Sequence, residues 1–514
     1  MIRPTRTAVA LLALCGLAGC ADLEENPVSG VTQEYFGTPE GADAAVTGTY
    51  ARLRDYYGQE QEVRIGMAGT DSWKRGEQCL ANGCGPWNDY NSQLGPSLGQ
   101  SLRDLWQQSY FAINSANTAI KFIGESTQIP EAQKNVRLGE ARFLRALFYY
   151  NLVRNYGDVQ LNLEPTQGVV VEAHRTPVAE VYAQAIVPDL EFAVANLPAV
   201  QPQQGRATKG AAQTLLAEAL LTRGAPGDFD RARDLASAVI SSGTYALNPT
   251  YRELFCGPER PAGPCDFVAS IETNKEYLFA VQFTGDASRD QFGNSLHWYW
   301  TMGYDVVGAP NLGRTLEYDR PFRRLSPTRY TLDLWNRAVD SRYRATFQTV
   351  WRSNSGTPGT AAQGGDTAIY LPGTDTVPTE NKGKRYKVFG QNDYTELVFP
   401  TLLKWLDQTK SSVAAQQSQR DRHLWRLADV YLLRAEANIR AGRPSDAIAD
   451  FNVLRRRAAI PTGSTANDLN AAQLDSLNGG GDRAIELLLN ERARELTGEE
   501  QRWYVLVRLN KLLD

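Results

Sequence analysis

Apolar residues recur at helical spacing over long stretches of the chain, and Pro and Gly mark the breaks between them. Ala42, Ala45, Val46, Thr49 and Leu53 follow Pro39 at near-helical intervals and predict a helix opening there. A second is predicted over "LRDLWQQSYFAINSANTAIKFI". A third begins at Pro130, a favoured first helical position, and runs to about Asn155 before Gly157 stops it. Within it Ala141, Leu144, Phe148 and Leu152 form one apolar stripe, the mark of a core face.

Two segments repeat one another. "AEALLTRGAPGD" (217–228) and "AEANIRAGRPSD" (435–446) share Ala-Glu-Ala, then Gly, Pro and Asp in one ungapped register. Each reads as a helix rich in small residues, a Gly stop, and a Pro/Asp start to a second helix. That is an antiparallel helical hairpin of tetratricopeptide type. The copies lie too far apart for a continuous array, so the repeats are interrupted by an insertion. The insertion, residues 249–419, is rich in Gly, Pro, Thr and aromatics, with short strand-like runs ("EYLFAVQF", "KVFG") and a flexible polar loop ("SNSGTPGTAAQGGDT"). Helices return at "RHLWRLADVYLLRAEANIRAG" and end in "ELLLNERARELTGEEQRWYVLVRLNKLL". The fold class is mainly α: a tetratricopeptide-like helical hairpin scaffold with an irregular, aromatic-rich lobe inserted. The organisation reads as residues 1–19 signal, 20–38 anchor and arm, 39–248 first scaffold part, 249–419 lobe and 420–514 last scaffold part.

The N-terminus changes this picture. Arg3 and Arg6 give a positive start, residues 8–14 an apolar run, and Leu17, Ala18 and Gly19 a small-residue cleavage site before Cys20. The run is too short to span a bilayer. Leu-Ala-Gly-Cys resembles the bacterial lipoprotein box, in which the Cys is lipidated and becomes the new N-terminus; ordinary secretion with a chance Cys is the alternative. The formal charge of −4 becomes more negative without Arg3 and Arg6, and no basic block of nucleic-acid type is present. Asp22, Glu24 and Glu25 would repel an anionic surface, so lipid rather than charge would hold the chain at a membrane. Beyond Cys20 the cysteines fall into two close pairs, Cys79 with Cys84 and Cys256 with Cys265. In an exported chain these favour two local disulfides over free thiols or a metal, since neither pair has CxxC spacing and the three histidines are scattered.

Catalytic signatures are absent: no HExxH, GxSxG, P-loop, GxGxxG or EF-hand loop. Glu491, Arg492, Arg494 and Glu495 make a tempting acid–base group, but their helical spacing reads better as a buried or semi-buried ion network. No metal site or cofactor is expected. What remains are rings in loose segments. "GTDSWKRGEQ" and "GCGPWNDYN" place Asp71, Trp73, Trp87, Asn88 and Tyr90 in one loop beside the expected Cys79–Cys84 bond. "SLHWYWTMGYD" offers Trp298 and Trp300 on one face if extended, with Tyr304 beyond. Flat rings suit the C–H face of a sugar and short polar side chains its hydroxyls. The eight residues Asp71, Trp73, Trp87, Asn88, Tyr90, Trp298, Trp300 and Tyr304 are therefore expected on one exposed, shallow site. The competing expectation is that the rings fill the core of the lobe.

Five blocks carry a resemblance: "NPVSGVTQEYFGTPEGADAAVTGTYARL", "ARFLRALFYYNLVRNYGDVQL", "RATKGAAQTLLAEALL", "RLADVYLLRAEANIRAG…AIADFNVLRRRAAI" and "ERARELTGEEQRWYVLVR". In content and order they resemble the SusD/RagB outer-membrane lipoproteins over nearly the whole chain after Cys20. The resemblance implies an α-helical scaffold with an irregular ligand-binding lobe, and an exterior-facing lipoprotein anchored in the bacterial outer membrane. It further implies a lid on a SusC-like TonB-dependent transporter that captures glycan or peptide, with no enzymatic activity. One departure is local: Glu499 and Glu500 precede Gln501 and Arg502 where the family usually reads Glu-Gly, so Gly498 would supply the left-handed cap two residues early. A secreted glycoside hydrolase and a protein-binding tetratricopeptide scaffold are the rival functions.

Overall fold

The computed structural model describes residues 33–79, 84–91, 94, 100–169, 172–257, 269–286, 288, 293–355, 365–499 and 502–513. Its principal helices are α1 (Pro39–Ala51), α2 (Gln100–Glu125), α3 (Glu131–Tyr156), α4 (Val187–Asn196), α5 (Lys209–Arg223), α6 (Asp228–Ser241), α7 (Leu427–Arg440), α8 (Ile448–Ala458), α9 (Gly481–Leu496) and α10 (Arg502–Arg508). Thr38 caps α1 by accepting the Gly41 N–H at 3.1 Å, and Pro39 stands where a helix needs no N–H. α3 starts after Pro130, and Gly157 ends it at φ 68° by donating to the Val153 carbonyl. Its predicted stripe, Ala141, Leu144, Phe148 and Leu152, is fully buried.

The two repeated segments are neighbours. α5 stops at Gly224 (φ 63°), and Asp228 folds back to accept from the Ala225 N–H as α6 begins. The second copy turns at Gly442 (φ 76°) between α7 and α8. α6 packs on α7, and Arg440 of α7 donates to the Leu221 carbonyl of α5 at 2.6 Å while lying over the Phe229 ring. The scaffold is one stack of hairpins, and the lobe leaves between α6 and α7.

Among the described residues nine short strands lie in or against the lobe: β1 (Trp73–Arg75), β2 (Tyr277–Val281), β3 (Leu325–Pro327), β4 (Phe347–Gln348), β5 (Val350–Arg352), β6 (Thr367–Tyr370), β7 (Lys387–Val388), β8 (Thr401–Leu402) and β9 (Arg422–Arg426). β2 and β9 pair antiparallel, Tyr277 opposite Arg426 and Val281 opposite Arg422, and form its neck. Sequence periodicity placed "RHLWR" at the start of a helix. It is instead strand β9, because its backbone groups pair with β2 and Phe279 and Trp425 pack together at a 6.1 Å ring separation. β1 pairs with β3, stitching the 70–90 segment to the lobe; β4 pairs with β8, and β5, β6 and β7 make a three-stranded sheet.

Scaffold and lobe are locked by buried ions. Glu491 accepts from Arg342 of the lobe and from Arg455 of α8, each at 2.8 Å, and Arg494 lies 3.2 Å from it. Glu495 is met by Arg426 at 2.7 Å, by Arg342 at 3.1 Å and by Arg457; Arg492 pairs with Asp429 at 3.0 Å. The ion-network reading of the α9 residues is the geometry found. Burial alone would raise the Glu495 carboxyl, but Arg457, Arg426 and Arg342 outweigh it and hold it at about 2. α9 ends at Leu496 with Gly498 at φ 74°, where an added Cβ would meet Leu402 at 2.4 Å, as the displaced glycine cap anticipates.

Asp421, at the neck, is the opposite case. Burial first, and then Glu272, push its carboxyl up to about 8, although it accepts from the Phe283 N–H at 3.0 Å. A carboxyl raised in the folded state holds a proton that the unfolded chain releases near pH 4, so stability falls as pH rises from there toward 8. Asp421→Asn, which keeps the acceptor oxygen, is expected to melt higher than the parent at pH 8 and to show no gain at pH 4. Thermal melts across that range check this, and an equal melt at pH 8 contradicts it.

Cys79 and Cys84 are disulfide-bonded. Cys256 is buried and disulfide-bonded, while its expected partner Cys265 lies outside the described residues, as do Cys20 and the signal segment. Among the described residues no helix is long and apolar enough to cross a membrane, and no His/Cys/Asp/Glu group could hold a metal ion.

Candidate functional site

The 67–90 segment folds back on itself at the joint of scaffold and lobe. Thr70 donates to the Met67 carbonyl, and its N–H to that of Trp73, a turn that leads into β1. After the Cys79–Cys84 bond a single turn of helix, Gly85–Asp89, ends at Tyr90 in the left-handed region (φ 45°). Gly69 faces this turn at φ 72°, where a Cβ would come within 2.3 Å of the Trp87 carbonyl. Tyr90 Oη donates to the Gly69 carbonyl at 2.8 Å, and Asn88 Oδ1 accepts the Arg75 N–H at 2.8 Å. Asp71 is gripped from the scaffold: Arg502 of α10 donates to both its oxygens, at 2.9 and 2.7 Å. A fork-to-carboxylate pair fixes the loop in orientation as well as position.

Four expected site residues therefore share one rim. Asp71, Trp87 and Asn88 are half-buried, and Tyr90 is 42% exposed. Trp87 backs onto both the scaffold core and the lobe core. Around them Arg75 pairs with Asp89 at 2.9 Å and with Glu396 at 3.1 Å.

The other four are elsewhere, and the expectation of one exposed eight-residue site is corrected. Trp73, Trp298, Trp300 and Tyr304 are no more than 4% exposed. Trp73 meets Trp300 edge-on with centroids 4.5 Å apart. Trp298 stacks on Phe322 at 4.4 Å, its indole N–H donating to Asp319 at 3.2 Å, and the Tyr304 hydroxyl donates to the Asp319 carbonyl. The extended conformation assumed for "HWYW" does not form. Leu296–Tyr299 is a helical turn, and residues 296–300 are all buried. Beneath them His297, Asp319 and Lys410 form a cluster with no exposed side chain, Asp319 lying 2.6 Å from His297 Nδ1 and 2.7 Å from Lys410 Nζ. It holds lobe segments together out of a ligand's reach.

A second surface was missed by the sequence reading. Trp106, Tyr110 and Phe111 of α2 line an open groove of about 720 Å³ with Gln107 and the 160–167 loop, and Phe111 is 60% exposed. The loop is pinned: Tyr110 donates to the Gln160 carbonyl at 2.8 Å, and Asn117 to the carbonyls of Asn162 and Glu164. Trp106 and Tyr110 sit at helical spacing like core residues; only Phe111, an aromatic off that face, signals the groove.

Two family models match the chain: one described as "SusD family" over residues 329–513, the other as "Starch-binding associating with outer membrane" over residues 70–221. The chain belongs to the SusD/RagB family. SusD-like protein P2 of Formosa agariphila is 28% identical over 97% of this chain and 89% of its own. The starch-binding protein SusD of Bacteroides thetaiotaomicron is 26% identical over 66% of this chain and 60% of its own. Surface glycan-binding protein A of Bacteroides uniformis shares the fold: TM-score 0.66, 19% identity, covering 92% of this chain and 88% of that one. The SusD-type scaffold thus accounts for both halves of the stack. The rim falls within residues 70–221, and Arg502, which grips it, within residues 329–513.

Proposed function

We propose that this SusD/RagB protein is a cell-surface receptor that captures a glycan, with peptide as the alternative ligand, and passes it to a SusC-like TonB-dependent transporter. In this reading Cys20 carries the lipid that tethers it, facing outward, to the outer membrane. Tethering raises the receptor's effective concentration at the pore without new contacts. The observation that carries the reading is the rim itself: an exposed ring, a half-buried ring and two short polar side chains fixed where scaffold meets lobe. Relatives whose names state starch or glycan binding support the ligand class. Among the described residues the rim offers no pair of free carboxylates of the kind glycosidic cleavage requires, because Asp71 and Asp89 are each tied to an arginine.

The groove at Phe111 gives a second reading of where the sugar lies, since it offers a more exposed ring and a true concavity. Calorimetry with an oligosaccharide panel on Tyr90→Ala, Trp87→Ala and Phe111→Ala separates them. A ring stacked on a sugar is worth about 1 kcal/mol, so its loss weakens binding about fivefold. Weakening by Tyr90→Ala and Trp87→Ala, with Phe111→Ala unaffected, is the expected result. The reverse pattern moves the site to the groove, and no glycan binding by the parent protein overturns the reading.

A further inference from the structure

Residues 373–396 form an arm moored at both ends beside the rim. At its base the Gln391 N–H donates to the Thr374 carbonyl at 2.7 Å and that of Asn392 to the Asp375 carbonyl at 3.0 Å. Asp375 is held by Arg329, which follows Thr328, whose hydroxyl donates to the Asp71 carbonyl. At the other end Glu396 meets Arg75, and its carbonyl accepts the Glu77 N–H at 3.0 Å. Between these moorings the tip is braced by Asn381 on the Tyr386 hydroxyl and by β7 on β6.

The tip is basic. Lys382, Lys384, Arg385 and Lys387 are all exposed, and among the described residues none has a carboxylate within ion-pair distance. This is unusual for a net-acidic chain whose arginines mostly sit against carboxylates. Lys74, exposed on β1 within the rim, is likewise without an ion pair among the described residues. Of the nearby carboxylates, Asp71 pairs with Arg502, Glu77 with Arg323, and Asp89 and Glu396 share Arg75, while Glu380 and Asp393 on the arm itself have no ion pair among the described residues. Lys382, Lys384, Arg385 and Lys387 outnumber the unpaired carboxylates of the arm and leave a net positive field along it, and such a field raises the local concentration of an anionic ligand.

We propose that the captured glycan is acidic, carrying uronate carboxylates or sulfate esters, and that Lys382, Lys384, Arg385 and Lys387, with Lys74, bind those groups. This rests on the glycan-capture reading above. Lysine ammonium groups act as point charges on flexible stems, suited to acidic groups spaced irregularly along a chain. An anionic membrane would attract the same charges, but the arm's mooring to the rim favours the glycan.

The test is calorimetry of the full lipid-free protein with polygalacturonate oligomers, sulfated galactan oligomers and neutral starch oligosaccharides, at low and high salt. The parent protein and a K382Q/K384Q/R385Q/K387Q variant are compared, with circular dichroism to confirm that the variant folds. The expected result is binding of one or both acidic oligomers, weakened about tenfold by the variant and similarly by salt. The two acidic probes distinguish carboxylate from sulfate. Acidic oligomers binding parent and variant equally would overturn the role of the arm. Preference for starch oligosaccharides would overturn the acidic ligand while leaving capture intact. No binding of any oligosaccharide would instead count against capture itself. Sedimentation with phosphatidylglycerol vesicles completes the set: variant-sensitive vesicle binding without acidic-oligomer binding would overturn the proposal in favour of a membrane surface.

Discussion

Glu495→Ala is expected to cost about 3–5 kcal/mol, because it strips the shared acceptor from Arg426, Arg457 and Arg342 and leaves buried guanidinium charge uncompensated. The effect reaches beyond α9, since Arg342 belongs to the lobe and Arg426 to the neck. Urea unfolding at neutral pH should therefore show the loss directly. The sign with pH follows from the depressed carboxyl. A group held at about 2 in the folded state, against about 4.3 when unfolded, stabilises fully above the unfolded value. That contribution shrinks as pH falls through the folded one, so the gap between parent and variant should narrow from pH 4 toward 2. A midpoint unmoved at neutral pH would mean that the arginines re-pair on Glu276 and Glu499, which already share Arg426.

Trp300→Ala is the second large effect, again about 3–5 kcal/mol, through the cavity left against Trp73. Its indole N–H has no hydrogen-bond partner among the described residues, so packing alone is lost and Trp300→Phe should recover much of the stability. The folded fraction should bind oligosaccharide as the parent does. A normal melt with abolished binding would return Trp300 to the ligand surface, against its burial.

The contrast between Trp300 and Tyr90 shows what the sequence could and could not convey. Helix ends were legible because their causes are local: Pro39 opens α1, and Pro130 and Gly157 bracket α3. The hairpins were legible too, since a Gly stop and an Asp start lie within a few residues. Exposure in the lobe was not. "HWYW" looks the same whether it lines a surface or a core, and its burial depends on Trp73, Phe322 and Asp319, which arrive from elsewhere in the chain. β9 was unreadable for the same reason, because its partner β2 is supplied from far upstream. The α9 carboxylates could be recognised as a network, but not the lobe arginine that completes it.

The adjacency of α6 and α7 has a consequence in time. During synthesis α5 and α6 emerge early and can pair with each other, but the face of α6 that meets α7 has no cover yet. The whole lobe, residues 249–419, must appear first. Until α7 and α8 are made, the hairpin stack stays open at its middle, and the half-made chain carries a bare apolar flank of the kind that chaperones hold. Completion of the fold therefore waits on the C-terminal part of the chain, so its loss should strand the N-terminal helices as an aggregating remnant rather than release a smaller receptor.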